Sequence, residues 1–269
     1  MSTAIAPPPG VPSFDVTVLA PRRTRWVCAV FVIDEGDRLL AQLERMRPHT
    51  AACDVIIADG GSSDGSTTEA ALRPRGVRAC LVKTGPGRLS AQMRMACWWA
   101  LDEGYDGILL MDGNDKDDPA AIPAFVAALE AGMDHVQGSR FVPGGRAIRT
   151  PLTRYIGIRL VHAPLISLAA GAHYTDTTNG FRAYSARLLR DPRVAPFREV
   201  FSGYELHYYL AIRAARLGFR VGELPVTRAY PARGPVPTKI HGWSGNWRVL
   251  RTLLAACTGR FDPGPGREA

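Results

Sequence analysis

Five side chains able to bind a hard cation fall within seven positions of the segment Asp112-Gly113-Asn114-Asp115-Lys116-Asp117-Asp118, directly behind the apolar run Ile108-Leu109-Leu110-Met111. Cations such as Mg2+ or Mn2+ are held by one or two carboxylates while phosphate oxygens and water complete the shell, so this cluster suits a metal-bound diphosphate. A second cluster, Asp59-Gly60-Gly61-Ser62-Ser63-Asp64-Gly65-Ser66, follows Val55-Ile56-Ile57. Its two carboxylates, hydroxyls and glycines would let backbone come close to a ligand. Both compositions also suit ordinary turns, in which Asp64, Ser66, Asp117 or Asp118 caps the next helix.

Residues of this kind need rigid elements to hold them. Apolar stretches bounded by turn residues predict strands over 26–33, 54–58, 77–82, 107–111 and 135–138. Amphipathic stretches over 37–47, 67–72, 90–101 and 122–131 predict helices between them. This alternation implies a single α/β domain, a Rossmann-like, mostly parallel sheet flanked by helices, which binds ligands beyond the carboxyl ends of its strands. Asp59 and Asp112 sit at two such ends. Beyond residue 140 the spacing predicts a helix over 153–170, a loop over 175–179, a helix over 204–217 and a strand over 220–225.

The composition, with 46% apolar and 22% charged residues, is that of a globular protein able to bury a core. Five scattered cysteines without a CxxC pair indicate neither a zinc site nor a disulfide framework, and they fit a reducing cytoplasm. A net charge of +8 suggests an anionic partner, but motifs of nucleic-acid binding are absent and none is expected. No apolar run approaches the length of a membrane span. Residues 1–24, rich in Pro, Ala and Ser, are expected to form a flexible tail, with the α/β domain over 25–242. Residues 243–269 are expected to form an amphipathic helix and tail. That helix, Trp243 to Leu254, has the tryptophans, arginines and apolar face of a segment lying on an anionic membrane, and equally of one packed on the domain.

From residue 26 to residue 240 the chain resembles the family 2 glycosyltransferases, and within them the polyprenyl-phosphate branch that includes dolichyl-phosphate mannose synthases. Ile57 to Ser66 is similar to the family's VVDDGSxDGT, and Leu110 to Asn114 to its MDxD metal motif. Gly138-Ser139-Arg140-Phe141 resembles GSR(Y/F), and Thr178-Asn179-Gly180-Phe181-Arg182, after Asp176, resembles SGFR. Gly203-Tyr204-Glu205 falls at the family's acidic pair. Glu223-Leu224-Pro225-Val226 followed by Thr238-Lys239 resembles the EVPI and SK elements. There are departures as well. Phe31-Val32-Ile33-Asp34-Glu35 replaces Pro-x-Tyr/Phe-Asn-Glu, Gly60 replaces the second aspartate of DDGS, and Asn114 turns DxD into DxN.

The resemblance implies a GT-A fold and an inverting transfer of a sugar from a UDP-, GDP- or dTDP-sugar to a polyprenyl phosphate or a small hydroxyl-bearing acceptor. It implies that Asp112 and Asn114 hold Mg2+ or Mn2+, and that Asp34, Glu35, Asp59, Ser62, Asp64, Gly113 and Arg182 contact the donor. It also implies that Arg140 and Lys239 stabilise the leaving diphosphate, and that Glu205 is the general base for a hydroxyl acceptor. The expected location is cytoplasmic, either free or peripheral at the membrane surface. Gly85-Pro86-Gly87-Arg88-Leu89 has the composition of the phosphate loop of nucleotidyltransferases, a related fold, but follows the third predicted strand rather than the first, and Arg88 joins the donor-binding candidates. A catalytically silent nucleotide-sugar-binding protein is the alternative from another class.

Overall fold

The computed structural model describes residues 2–5, 7–231 and 242–264. In chain order the strands are β1 (Ser2–Ile5), β2 (Phe14–Val18), β3 (Trp26–Val32), β4 (Asp54–Asp59), β5 (Val77–Lys83), β6 (Gly107–Asp112), β7 (His135–Ser139), β8 (Arg146–Ile148), β9 (Arg182–Ser185), β10 (Val221–Pro225) and β11 (Thr227–Ala229). The helices are α1 (Asp37–Met46), α2 (Glu69–Leu72), α3 (Leu89–Asp102), α4 (Ile122–Glu130), α5 (Leu152–Gly157), α6 (Ala163–Ala170), α7 (Ala186–Arg190), α8 (Glu205–Arg216) and α9 (Gly242–Cys257).

Nine strands form one sheet in the order β1-β2-β5-β4-β3-β6-β9-β7-β10. β5, β4, β3 and β6 are parallel neighbours at its centre, and β10 runs parallel to β7. All seven residues of β3 are buried, as expected for a continuous apolar run covered on both faces. One face packs Ala29, Ile56 and Leu81 against Met93 and Trp99 of α3 and Leu210 of α8. The other packs Val30 and Ile57 against Leu39 and Leu43 of α1 and Phe125 of α4. Replacing Leu43 by Ala would cost about 2–5 kcal/mol through lost burial and the cavity left behind.

Two expectations are corrected and one strand is added. The segment expected as a flexible tail contributes β2, antiparallel to β5 through pairs such as Val16↔Leu81. Phe14 and Val16 alternate with polar neighbours and are 1% and 4% exposed, an apolar period that the surrounding prolines obscured. A strand that the sequence pattern did not indicate, β9, begins at Arg182 and inserts antiparallel between β6 and β7. The predicted helix over 153–170 is continuous but contains a π turn at Ile158–His162, where Ala163 N donates to Ile158 O. Pro164 follows, with no N–H to give the carbonyl four residues back.

α9 packs on the domain, with Leu253 and Ala256 buried in a cluster with Ile166, Tyr208 and Ile212, although Trp247 and Leu254 remain exposed. No helix among the described residues is long and apolar enough to cross a membrane. The short strands β8 and β11 pair parallel in a second sheet. That pairing carries Arg228 to an isolated bridge with Asp117.

Candidate functional site

Asp112 ends β6, where strand geometry gives way to loop. Its carbonyl accepts from Gln42 Nε2 at 2.9 Å, and Gln42 Oε1 accepts from Asp115 N at 2.7 Å, so one buried amide of α1 sets the loop's path. Asp115 takes φ +57° to make the turn. Gly113 serves packing, since a Cβ there would meet Val32 Cγ1 at 2.4 Å. Gly180 lies against the carboxylate itself, and a Cβ there would fall 2.7 Å from Asp112 Oδ1. Burial pushes the Asp112 carboxyl up, but Arg228 and Lys116 outweigh it and hold it below the usual carboxylate range.

Two functional neighbours were not foreseen. Arg228 donates Nη2 to Asp112 Oδ2 at 2.9 Å and Nη1 to Asp117 Oδ2. His207, two residues after Glu205, is driven well below its ordinary value by burial and by Arg182, and it feels the Asp112 charge. It is therefore a neutral imidazole, and its Nδ1 is buried without a partner. The available signals were an arginine directly after Glu223-Leu224-Pro225-Val226-Thr227 and a histidine inside the first turn of α8. Lys116, 5% exposed, is lowered to about 8 by burial and by Arg228, and its ammonium lies 5.4 Å from the centre of the Tyr230 ring.

Among the described residues, no group of three His, Cys, Asp or Glu side chains is arranged to hold a metal. The donors nearest Asp112 nonetheless fit a hard cation. Asn114 Nδ2 sits 3.5 Å from Asp112 Oδ2, while its Oδ1 is buried with no hydrogen-bond partner. A carboxylate and a carbonyl oxygen without a hydrogen-bond partner, two residues apart on one loop, are oxygen ligands of the kind a hard cation takes.

The second predicted cluster forms a self-satisfied loop. Asp59, 1% exposed, accepts at Oδ1 from Gly61 N, Ser62 N and Ser62 Oγ (2.7–3.0 Å) and at Oδ2 from Thr67 Oγ1 at 2.8 Å. Asp34 accepts from Ser63 N at 2.8 Å, its own amide donates to Ser62 Oγ, and Asp64 accepts from Gly36 N at 2.7 Å. The Ser66 hydroxyl and amide hold the Asp64 carboxyl below its ordinary value. Glu35 pairs with Arg38. Gly60 has a packing reason, because a Cβ would lie 3.2 Å from Gln92 Nε2, which ties Val32 O to Ala58 O.

The arginines expected at the donor are engaged with other parts of the protein in this structure. Arg140 is buried and committed to Asp176 and Thr178 Oγ1. Arg182 is buried and spends Nε, Nη1 and Nη2 on the carbonyls of Asn179, His207 and Thr177. Both hold the 175–182 loop in place, helped by Glu223, which accepts from Thr175 N and Asp176 N. Glu205 begins α8 and turns its carboxylate back to Gly203 N, with its charge felt by Arg94. Arg88 is exposed at the start of α3, its amide donating to Ser202 O. Lys239 lies outside the described residues.

A cavity of about 560 Å3 opens at the opposite edge of the sheet, near Trp26, Asp134 and Arg220. Its arginines are already engaged: Arg187 by Asp134, Arg190 by Leu101 O and Arg220 by Ala131 O. The chemistry belongs at the carboxyl edge, where Asp112 and the Asp59 loop converge.

No family model matches the chain. Undecaprenyl-phosphate mannosyltransferase of Micrococcus luteus is 32% identical to it over 198 residues, spanning 72% of this chain and 79% of that protein. The chain belongs to the family 2 glycosyltransferases. Further relatives of this glycosyltransferase are the polyprenol monophosphomannose synthase of Mycolicibacterium smegmatis, 27% identical over 216 residues (79% of each chain), and the dolichyl-phosphate hexose transferase of Haloferax volcanii, 27% identical over 219 residues (81% and 86%). The glycosyltransferase shares its fold with glucosyl-3-phosphoglycerate synthase from Mycobacterium tuberculosis in complex with Mn2+ and UDP, at a TM-score of 0.60 and 18% identity over 91% of this chain and 82% of that one.

Proposed function

We propose that this glycosyltransferase moves a hexose from a nucleoside-diphosphate sugar to a polyprenyl phosphate, with inversion, at the surface of a membrane. The observation that carries the proposal is Asn114 beside Asp112 at the carboxyl edge of the sheet, its Nδ2 3.5 Å from Asp112 Oδ2 and its Oδ1 buried without a hydrogen-bond partner. The names of three relatives, all acting on polyprenyl or dolichyl phosphates, support the acceptor class. The structural neighbour with Mn2+ and UDP supports the donor and cation classes.

In this reading Asp112 and Asn114 would hold a divalent cation, which would supply positive charge to offset the negative charge developing on the leaving diphosphate. The phosphate oxygen of the acceptor is already anionic and attacks the anomeric carbon as the bond to the diphosphate breaks. No proton must be removed, so Glu205 is needed only for a hydroxyl acceptor. The 33–36 and 59–66 loops, stitched together by Asp34, Ser62 and Asp64, form the floor for the nucleoside.

Access for a lipid acceptor is supported by the exposed apolar residues Leu152, Tyr155, Ile156, Leu160 and Leu168 on α5, the π turn and α6. Arg159 lies among them and stacks over Phe141, whose ring also receives Arg140. Arg154 reaches Tyr230, which covers Lys116. The apolar face therefore adjoins the reaction site, and its arginines suit anionic headgroups.

The test is transfer from radiolabelled UDP-, GDP- and dTDP-hexoses to a polyprenyl phosphate, the matching polyprenol and water-soluble hydroxyl acceptors, with Mn2+ or EDTA. Transfer to the phosphate alone, abolished by EDTA, is expected. Transfer confined to hydroxyl acceptors would overturn the acceptor reading, and tight donor binding without turnover across the panel would favour a silent binding module.

A further inference from the structure

The carboxylate expected to receive a cation already has a cation on it. Arg228 reaches across from β11 and bonds Asp112 Oδ2 at 2.9 Å with one terminal nitrogen and Asp117 with the other. Its side chain is 7% exposed and that of Asp117 is fully buried. Lys116, equally buried, adds a second positive charge that acts on Asp112. Two carboxylates are thus matched by two cationic side chains before any metal arrives. The neutral Asn114 contributes a ligand oxygen but no charge to change that balance.

A divalent cation approaching Asp112 in the free protein therefore meets a carboxylate whose charge is spent and a fixed guanidinium that repels it at short range, in a site with little water to screen the repulsion. A nucleoside diphosphate reverses the balance. Its phosphate oxygens bring negative charge to the same place, supply ligands to the metal, and offer the guanidinium and ammonium a new partner.

We infer that Arg228 couples metal binding to donor binding: it keeps the divalent cation off the free enzyme and admits it only with the nucleoside diphosphate. This rests on the reading of Asp112 and Asn114 as cation ligands. Arg228 is a positioning residue here, acting through Asp112.

The test is Mn2+ binding to the full chain, followed by the loss of the free-ion electron paramagnetic resonance signal, without nucleotide and then with UDP, GDP and dTDP in turn. Wild type is expected to bind Mn2+ weakly alone and about tenfold or more tightly with its nucleotide, the ordinary size of such coupling. Arg228→Gln is expected to bind Mn2+ alone about tenfold more tightly than wild type and to lose most of the nucleotide effect. Arg228→Lys, which keeps the charge, is expected to stay as weak as wild type. If the lone buried Asp117 unfolds Arg228→Gln, the double variant Asp117→Asn/Arg228→Gln makes the same measurement. Unchanged Mn2+ affinity on removing the guanidinium, with nucleotide-dependent binding intact in wild type, would overturn the inference and leave the metal site standing. No Mn2+ uptake by wild type with any nucleotide would overturn both.

Discussion

Arg140 and Asp176 are joined by two charge-assisted hydrogen bonds, Nε to Oδ2 at 2.6 Å and Nη2 to Oδ1 at 2.9 Å, with side chains 2% and 0% exposed. The pair locks the segment after β7 to the loop that carries Gly180 against Asp112. Burial and the neighbouring guanidinium act oppositely on the Asp176 carboxyl, and the guanidinium prevails, leaving it below the usual carboxylate range.

Arg140→Met should therefore behave as a folding variant. Leaving Asp176 buried without its guanidinium is expected to cost about 3–5 kcal/mol, read as a lower urea midpoint at unchanged slope. Unchanged stability with lost turnover would return Arg140 to the diphosphate.

Asp112→Ala should abolish transfer, by about a thousandfold or more, while the melting temperature moves little. The fold survives because Arg228 keeps Asp117 as its partner. Near-native turnover of the purified variant would remove Asp112 from the site.

Glu205→Gln should change kcat by less than about tenfold with a polyprenyl phosphate acceptor, since no general base is required, and by about a hundredfold or more with a hydroxyl acceptor. The Gln carbonyl can still accept from Gly203 N, so helix α8 should start unchanged. A large loss with the phosphate acceptor would contradict the mechanism.

Acid should destabilise the protein earlier than its carboxylates require. Burial drops His135 to about 3, against an ordinary 6.5, so below pH 6.5 the unfolded chain takes up a proton that the folded one refuses. Its contribution is complete above pH 6.5 and is lost as the pH falls toward 3, by about 2 kcal/mol between pH 7.5 and pH 5. Buried His207 acts in the same direction. Urea unfolding at these two pH values should show the loss, and His135→Phe, which can still stack on Tyr184, should shrink it. An equal loss in the variant would remove His135 as the cause.

The parts of this site legible from sequence are those fixed by local geometry. Asp59 and Asp112 end apolar strands, and a carboxylate at such an end must lie on the ligand edge of a parallel sheet, whatever the rest of the chain does. Arg228 and His207 arrive by tertiary routes, one through the pairing of β11 with β8 and the other on a helix from the far end of the domain. Neither position has a local pattern that distinguishes it from a surface residue. Arg140 and Arg182 are a different case. Their motif positions suggested phosphate contact, but an arginine's role depends on whether its five donors meet solvent, ligand or backbone, and only burial decides that.

The antiparallel pairing of β2 with β5 makes the amino-terminal segment part of the sheet's closure. Removing residues 1–24 as low-complexity sequence would strip the outer side of β5 and expose its backbone donors and acceptors, next to a core side of Phe14 and Val16 contacts now lost. A truncated chain would then offer a second molecule an open strand edge, and its failure would be recorded as poor solubility rather than as a missing structural element.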